Sequence, residues 1–155
     1  DPLPHYEEPI QSRTSTPELF KKYPLVMITG VRSQLFFHSE HRMIPWLREK
    51  EPEPFVEIHP ETAKKYGIYD GEWIYIRNDM GRVKRKAKLT RQVKPSEICT
   101  RHGWWMSELK GPEPDLFGCW EYQINVLIPT PQQSSSGFGG GRYKTTLVTL
   151  EKISE

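Results

Sequence analysis

FVEIHPETAKKYGIYDGEWIYIRNDMGRVKRKAKLT, residues 55–90, carries the pattern that decides the fold. Residues 55–59 are mostly β-formers and predict a short strand. Pro60 suits the first turn of a helix, where its missing N–H costs nothing, and Gly67 suits the left-handed position just after a helix. Residues 73–77 and 82–90 then predict two strands joined by a tight turn at residues 78–81. The segment therefore predicts strand, helix, turn and hairpin.

The second strand of that hairpin is strongly basic. Apolar Val83, Ala87 and Leu89 can face a core, and the remaining positions are largely cationic: Arg82, Lys84, Arg85, Lys86 and Lys88. We expect these five cations to form a solvated outer face of the sheet rather than a nucleic-acid site, because a basic edge of this kind keeps strands from aggregating.

The rest of the chain adds further short strands. Residues 25–29, 96–101 and 145–153 are predicted strands, residues 124–128 are strand-like, and residues 45–47 predict a short helical turn. Residues 1–22 are proline-rich and polar, without periodic apolar positions, and predict a linker or an arm from a preceding domain. The sum is a small closed or nearly closed β-barrel with inserted loops.

Composition limits the classes of protein that fit. At 155 residues and 18.2 kDa the chain is long enough for one domain with a proper core. A net charge of +2 with both signs interspersed gives no support for nucleic-acid binding. Two widely spaced cysteines, Cys99 and Cys119, match neither a zinc knuckle nor a redox motif. No apolar run is long enough for direct membrane insertion.

Two polar loops follow apolar stretches, one in residues 25–42 and the other in residues 124–144. The first offers hydroxyls, glycine and cations, and the second offers an amide, a Ser/Gly run and a lysine. Hydroxyls, cations and bare backbone N–H groups suit phosphates, whereas amides and aromatic rings suit a base or a fused ring. If the fold brings both loops to one rim, the chain is a clamp for a nucleotide-like cofactor.

The chain resembles the C-terminal dinucleotide-binding domain of dimethyl sulfoxide reductase-type molybdopterin oxidoreductases. The resemblance is carried by the order of five segments: YPLVMITGVRSQLFFHSEHR, the strand–helix–hairpin block above, HGWW, INVL and RYK. The resemblance covers residues 23–155. It implies a mainly β, double-psi β-barrel with one or a few short helices and long loops. It also implies a prokaryotic enzyme family, some of whose members act in anaerobic respiration. Members of this family hold molybdenum or tungsten through bis-(molybdopterin guanine dinucleotide).

By that resemblance, nine residues are expected to contact the cofactor. They are Thr29, Gly30, Arg32, His38, Ser39, His102, Asn125, Tyr143 and Lys144. His41 and Arg42 are weaker candidates, and at least one of Trp104 and Trp105 is expected to be packed in a core. This sequence departs from the family at residues 132–134, Gln-Gln-Ser, where relatives commonly carry an aspartate that holds guanine. No catalytic residue and no metal ligand is expected on this chain.

The resemblance further implies that the chain is the last domain of a larger catalytic subunit, inactive as an isolated domain. Its expected partners are the other domains of that subunit, with an iron–sulfur electron-transfer subunit as a further candidate. The compartment, prokaryotic cytoplasm or periplasm, is left open. Two alternatives also stay open: a self-contained barrel whose His38, His41 and His102 bind a metal or ligand, and a protein-interaction module.

Overall fold

A computed structural model describes residues 6, 8–30, 32–129 and 144–153. Within these residues six strands close into a barrel, in the order β1, β5, β2, β4, β3, β6 and back to β1. The strands are β1 (Leu25–Ile28), β2 (Phe55–Ile58), β3 (Trp73–Asn78), β4 (Gly81–Leu89), β5 (Glu97–Thr100) and β6 (Thr146–Lys152). The predicted mainly β barrel is confirmed.

Two pairs of strands run parallel, β1 with β5 and β2 with β4, and the other neighbours are antiparallel. Met27 of β1 stands between Ile98 of β5 and Thr146 of β6. Parallel partners cannot be joined by a tight turn, so long connections must run over the ends of the barrel. Those connections supply the loops in which function is concentrated.

The inner faces of the strands fill the barrel with aliphatic side chains. Because successive side chains of a strand point to opposite faces, alternate residues enter this core. Fully buried members include Met27, Val56, Ile58, Ile74, Ile76, Ile98 and Val148. Burying each such side chain contributes about 1.5–3 kcal/mol relative to leaving it in water.

The predicted helix after β2 is α3 (Pro60–Tyr66), and its ends are fixed as expected. The side chain of His59 accepts a hydrogen bond from the Glu61 amide, with Nδ1 3.2 Å from the nitrogen. Gly67 ends the helix at φ 65°, a conformation that glycine adopts without steric penalty. Ala63 is fully buried and attaches the helix to the barrel core.

Three more α-helices are present among the described residues: α1 (Pro17–Lys22), α2 (Pro45–Lys50) and α4 (Cys119–Tyr122). Residues 1–22, for which a linker or an arm is predicted, include α1, which begins at Pro17 and ends with two lysines that favour a helix C-terminus. The side chain of Gln11 also accepts a hydrogen bond from the Leu147 amide, 3.2 Å away. This N-terminal segment therefore lies against the closing strand β6.

Residues 124–128, which the sequence predicted to be strand-like, are not a strand. A 3₁₀ helix covers Ile124–Leu127, after an earlier one at Leu116–Gly118. Ile124 and Leu127, three residues apart, are both fully buried, so one face of this helix packs on the core. The Asn78 side chain donates to the Leu127 carbonyl at 2.8 Å and holds the helix against the end of β3.

Arg85 does not belong to the solvated face predicted for β4, because its side chain is fully buried. Val83, Arg85 and Ala87 alternate inward along the strand. The guanidinium donates to Thr100 Oγ1 at 3.0 Å and to the carbonyls of Lys84 and Arg101 at 3.1 and 3.2 Å. Burial, and then the positive charge of Arg42, lower its pKa to about 9.

Cys99 is buried, Cys119 is half-buried, and the two do not form a disulfide. As far as the described residues extend, no helix has the length and hydropathy that crossing a membrane would require.

Candidate functional site

The barrel topology brings three polar segments to one end. Thr29 and Gly30 follow β1, and His102 follows β5, which is parallel to β1. Residues that follow parallel strands lie at the same edge of a sheet. Lys144 precedes β6, which is antiparallel to β1, so it lies at that edge too. The convergence expected from the sequence therefore follows from the pairing of three strands.

A cavity of about 480 Å³ opens at this end of the barrel. Seven of the nine residues predicted to contact a cofactor line it: Thr29, Gly30, Arg32, His38, His102, Asn125 and Lys144. Arg32 and Lys144, from opposite ends of the chain, thus share one cavity. The structure brings these side chains together, and their contacts with a cofactor stay a prediction.

Several hydrogen-bond donors in the cavity have no acceptor among the described residues. The exposed side chains of Arg32, Asn125 and Lys144 form no hydrogen bond or ion pair within the described part of the chain. The described residues that line the cavity include no carboxylate. Two unpaired cations and an amide, with no competing anion, suit a phosphorylated ligand that carries a heterocycle.

His38 and His102 form a pair in the cavity wall. Nδ1 of His38 lies 3.1 Å from Nε2 of His102, and the ring centroids are 5.2 Å apart. Burial lowers the pKa of His102, and the charges of His38 and Arg32 lower it further. A hydrogen bond from His102 to the Thr29 backbone opposes these effects. The pair therefore resists carrying two positive charges.

Arg42 holds the two histidine-bearing segments together. Its guanidinium donates from Nε to the Gly103 carbonyl at 2.9 Å and from Nη2 to the His38 carbonyl at 3.2 Å. It stacks on Trp104, with 3.9 Å from Cζ to the ring centroid, and on Phe36 at 4.4 Å. Burial lowers the Arg42 pKa to about 10. Arg42 is thus a buried strut, and the weaker prediction that it contacts the cofactor has no support from its position.

The other predicted residues are not among the described residues that line the cavity. Ser39 does not line the cavity, and its carbonyl accepts a hydrogen bond from Trp105 Nε1 at 2.6 Å. His41 is exposed at φ 69° and also lies outside the cavity lining. Tyr143 and the glutamines at residues 132–133 lie outside the described residues. Trp104 is fully buried, as expected for at least one of the two tryptophans.

Three arginines behind the cavity wall were not predicted as structural supports: Arg42, Arg85 and Arg101. Arg101 donates to Glu51, which also accepts from Ser33 Oγ at 2.8 Å. A small adjoining crevice is lined by Arg32, Arg42 and Arg101 among others. The alternation of residues 83, 85 and 87 was the one signal in the sequence for an inward Arg85. Together these cations make this end of the barrel electropositive.

A second groove, of about 520 Å³, lies between α2 and the side of the barrel. Its lining includes Glu49, Glu53 and Glu108, and Arg48 there is already paired with Glu108 at 2.9 Å. Such a groove is a poor site for an anionic ligand although it is slightly larger. The cavity at the end of the barrel is the better candidate.

The alternative of a histidine metal site has no support in the geometry. Within the ranges that the structure describes, no group of three or more His, Cys, Asp or Glu side chains is placed to hold a metal ion. His38 and His102 approach each other, but His41 does not join them in the cavity lining.

Comparison with known proteins shows which domain family this chain resembles. The family model of the molydopterin dinucleotide binding domain matches residues 25–147. Dopamine dehydroxylase of Eggerthella lenta is 42% identical over 127 residues, 81% of this chain and 12% of that protein. Dimethyl sulfoxide reductase DmsA of Escherichia coli is 33% identical over 153 residues, 99% of this chain and 17% of that protein.

The same result comes from solved structures. Acetylene hydratase from Pelobacter acetylenicus superposes with a TM-score of 0.91 at 32% identity, over 99% of this chain and 22% of that chain. The chain therefore spans less than a quarter of the length of each of these relatives.

The chain belongs to the molydopterin dinucleotide binding domain family. It is the cofactor-binding domain of a dimethyl sulfoxide reductase-family molybdoenzyme and matches the C-terminal domain of the catalytic subunit. The cofactor is molybdopterin guanine dinucleotide with molybdenum or tungsten. The chemistry of the residues present fits that group, because the cations Arg32 and Lys144 are suited to a diphosphate and the amide of Asn125 is suited to the edge of a ring.

Proposed function

We propose that the cavity at the end of the barrel holds the diphosphate and an adjoining ring of one dinucleotide. Arg32 and Lys144 bind the negatively charged oxygens, and Asn125 hydrogen-bonds a ring edge. The observation that carries this assignment is the convergence of two unpaired cations on a cavity with no carboxylate among its described lining residues. Gly30 leaves its backbone open to close approach by the ligand.

The chain supplies binding and orientation, and the chemistry belongs to the bound group. When bound, the molybdenum or tungsten centre supplies the redox function. The relatives are named for three different reactions, on dopamine, dimethyl sulfoxide and acetylene, although all three share this domain. That variety supports the proposal that substrate selection and the protein ligand of the metal lie in the rest of the catalytic subunit.

The proposed partners are the other domains of the same subunit. Large apolar side chains close in the sequence to His38 are exposed, among them Phe37, Met43 and Trp46 at 62, 58 and 64%. Exposed apolar side chains of this size suit burial against another surface. An iron–sulfur electron-transfer subunit is the further proposed partner. We also propose that residues 23–155 form the binding domain and residues 1–22 an arm from a preceding domain, with α1 resting on the barrel.

The test uses the complete catalytic subunit that contains this chain. Arg32→Gln and Lys144→Gln should each lower the molybdenum or tungsten and the guanine recovered per mole of purified protein. Arg91→Gln and Lys110→Gln remove one exposed cation each outside the cavity lining and serve as matched controls. Full metal and guanine content in both cavity variants would refute the proposal.

A further inference from the structure

Gln123 links two walls of the cavity that are built from distant parts of the chain. Its side-chain oxygen Oε1 accepts a hydrogen bond from the backbone amide of Gly103, with 3.1 Å between the two atoms. Gly103 directly follows His102, and Gln123 lies two residues before Asn125. Because His102 and Asn125 both line the cavity, this bond joins the wall that carries one to the wall that carries the other.

The first wall is held through the backbone of Gly103. This residue is buried, and a buried backbone N–H that loses its acceptor carries a free-energy penalty. The Gly103 carbonyl is engaged as well, since it accepts from Arg42 Nε at 2.9 Å. Two side chains that are distant in sequence, Arg42 and Gln123, therefore hold the peptide groups on either side of this residue.

The second wall is a short element that is anchored at both ends. Asn125 lies in the four-residue 3₁₀ helix Ile124–Leu127. Asn78 holds the far end of this helix, because its side chain donates to the Leu127 carbonyl at 2.8 Å. Gln123 holds the near end through the bond described above. The amide of Asn125 thus lies between two fixed points.

The backbone of Gln123 lies where the chain passes between two clusters of buried apolar side chains. Tyr122 packs with Trp104 in the smaller cluster, whereas Ile124 packs in the barrel core. Both neighbours of Gln123 are buried, and Gln123 itself is half-buried. Because packing fixes the residues on both sides, the side chain of Gln123 extends from a well-defined place.

We propose that Gln123 is a positioning residue for cofactor binding, whose side-chain oxygen sets the separation of His102 and Asn125 across the cavity. The inference rests on the proposed function, in which the amide of Asn125 hydrogen-bonds a ring edge. Such bonds weaken steeply when donor and acceptor are displaced or misaligned. Gln123 is not among the described residues that line the cavity, so it acts through its neighbours.

Hydrogen exchange of the Gly103 amide tests the bond in the 155-residue chain. Gln123→Met keeps the length of the side chain without a comparable acceptor, whereas Gln123→Glu keeps an oxygen at the same place. The amide should exchange roughly fivefold faster in the methionine variant, as expected for the loss of one hydrogen bond, and near the parent rate in the glutamate variant. Gln92→Met changes an exposed glutamine outside the cavity lining and should leave the rate unchanged.

Nucleotide retention in the complete catalytic subunit tests the positioning role. During dialysis, guanine nucleotide should leave the Gln123→Met variant roughly fivefold faster than the parent. Gln123→Glu should lie between the two, because it restores the acceptor but adds a negative charge near an anionic ligand. Ile58→Val removes a methylene from the barrel core outside the cavity lining. This variant controls for a general loss of stability and should retain the nucleotide as the parent does.

Either of two results overturns the inference: equal exchange of the Gly103 amide in the parent and in Gln123→Met, or equal loss of nucleotide from the two. If the methionine variant does not fold, the unmodified chain still decides, because a Gly103 amide that exchanges as fast as an exposed one would rule out the bond. Cofactor retained by both Arg32→Gln and Lys144→Gln would refute the proposed function. Cofactor lost from those variants but retained by Gln123→Met would refute this inference alone.

Discussion

Gly103 stands so close to His38 that a β-carbon on Gly103 would lie 2.9 Å from the His38 carbonyl oxygen. It would also lie 3.0 Å from the Ser39 amide nitrogen, and both neighbours are backbone atoms that cannot rotate away. Gly103 itself adopts φ 71°, in the left-handed region. The absence of a side chain at residue 103 is thus what allows the two histidine-bearing segments to meet.

Gly103→Ala should therefore destabilise the chain more than the same change at Gly71. Gly71 has a similar φ of 76° but has open space where the β-carbon would stand. Backbone strain alone predicts a loss of about 1–2 kcal/mol for Gly71→Ala. Gly103→Ala should lose roughly 2 kcal/mol more through the backbone collision. Urea denaturation measures both, and equal losses would contradict the assigned role of the contact.

Arg42→Met should lower the free energy of unfolding by about 1–3 kcal/mol. Methionine can fill the space between Phe36 and Trp104, but the carbonyls of His38 and Gly103 lose their buried donors. Arg42→Lys keeps the charge without the forked geometry, so its free energy of unfolding should lie between those of the parent chain and the methionine variant. Chemical denaturation with Arg91→Met as a surface control checks this order. A methionine variant as stable as the parent would mean that the buried charge costs as much as its bonds contribute.

Acidification should destabilise the chain through His102. Its folded pKa lies below the ordinary value of 6.5, chiefly because of burial. As the pH falls through 6.5, the unfolded chain binds a proton at residue 102 before the folded chain does, so stability drops. His102→Gln removes this contribution, and its stability should depend less on pH between 7 and 5. Denaturation curves across that range, with His41→Gln as a control, measure the difference.

Gly30→Ala should separate stability from ligand binding. An added β-carbon would meet Ile28 Cγ2 at 3.6 Å and Lys144 Cε at 4.0 Å, which are ordinary contacts. The free energy of unfolding should stay within about 0.5 kcal/mol of the parent value. In the complete subunit, however, the methyl group would enter the cavity and lower the guanine content. Unchanged guanine content would show that the ligand does not approach this part of the backbone.

Local signals in the sequence were enough to predict most of the fold. Pro60 and Gly67 mark the ends of α3, and the turn at residues 78–81 joins β3 to β4 as expected. Each of these features depends on neighbours in the chain, which a single sequence displays directly. The pattern of short strands also predicted a closed or nearly closed barrel, but it did not predict the order of the strands, because the β1–β5 and β2–β4 pairings join distant residues.

The errors arose where distant contacts override a local pattern. Residues 124–127 have apolar residues typical of a strand, but packing of Ile124 and Leu127 on the core selects a 3₁₀ helix. Arg85 lies in a basic run that suggests solvent, yet three acceptors inside the barrel satisfy its guanidinium. Two of the three, Thr100 Oγ1 and the Arg101 carbonyl, come from a distant part of the chain and cannot be read from residue 85 and its neighbours.

The candidate site shows the same division. Residue types, their order and the resemblance to a known family together predicted the seven residues that line the cavity. They did not predict that His38 and His102 touch, or that Arg42 supports them from behind. Those relationships depend on how closely the backbones of residues 38 and 103 approach each other, which leaves no room for a β-carbon on residue 103.

Strand β6 bonds to β1 on one side and to β3 on the other. Until residues 146–152 are in place, both of those strands present unpaired backbone edges, which are templates for association with other chains. During synthesis, nearly all of this domain must therefore leave the ribosome before its barrel can shut. The interval before closure is when nascent copies are most exposed to aggregation, and when a chaperone would have most to protect.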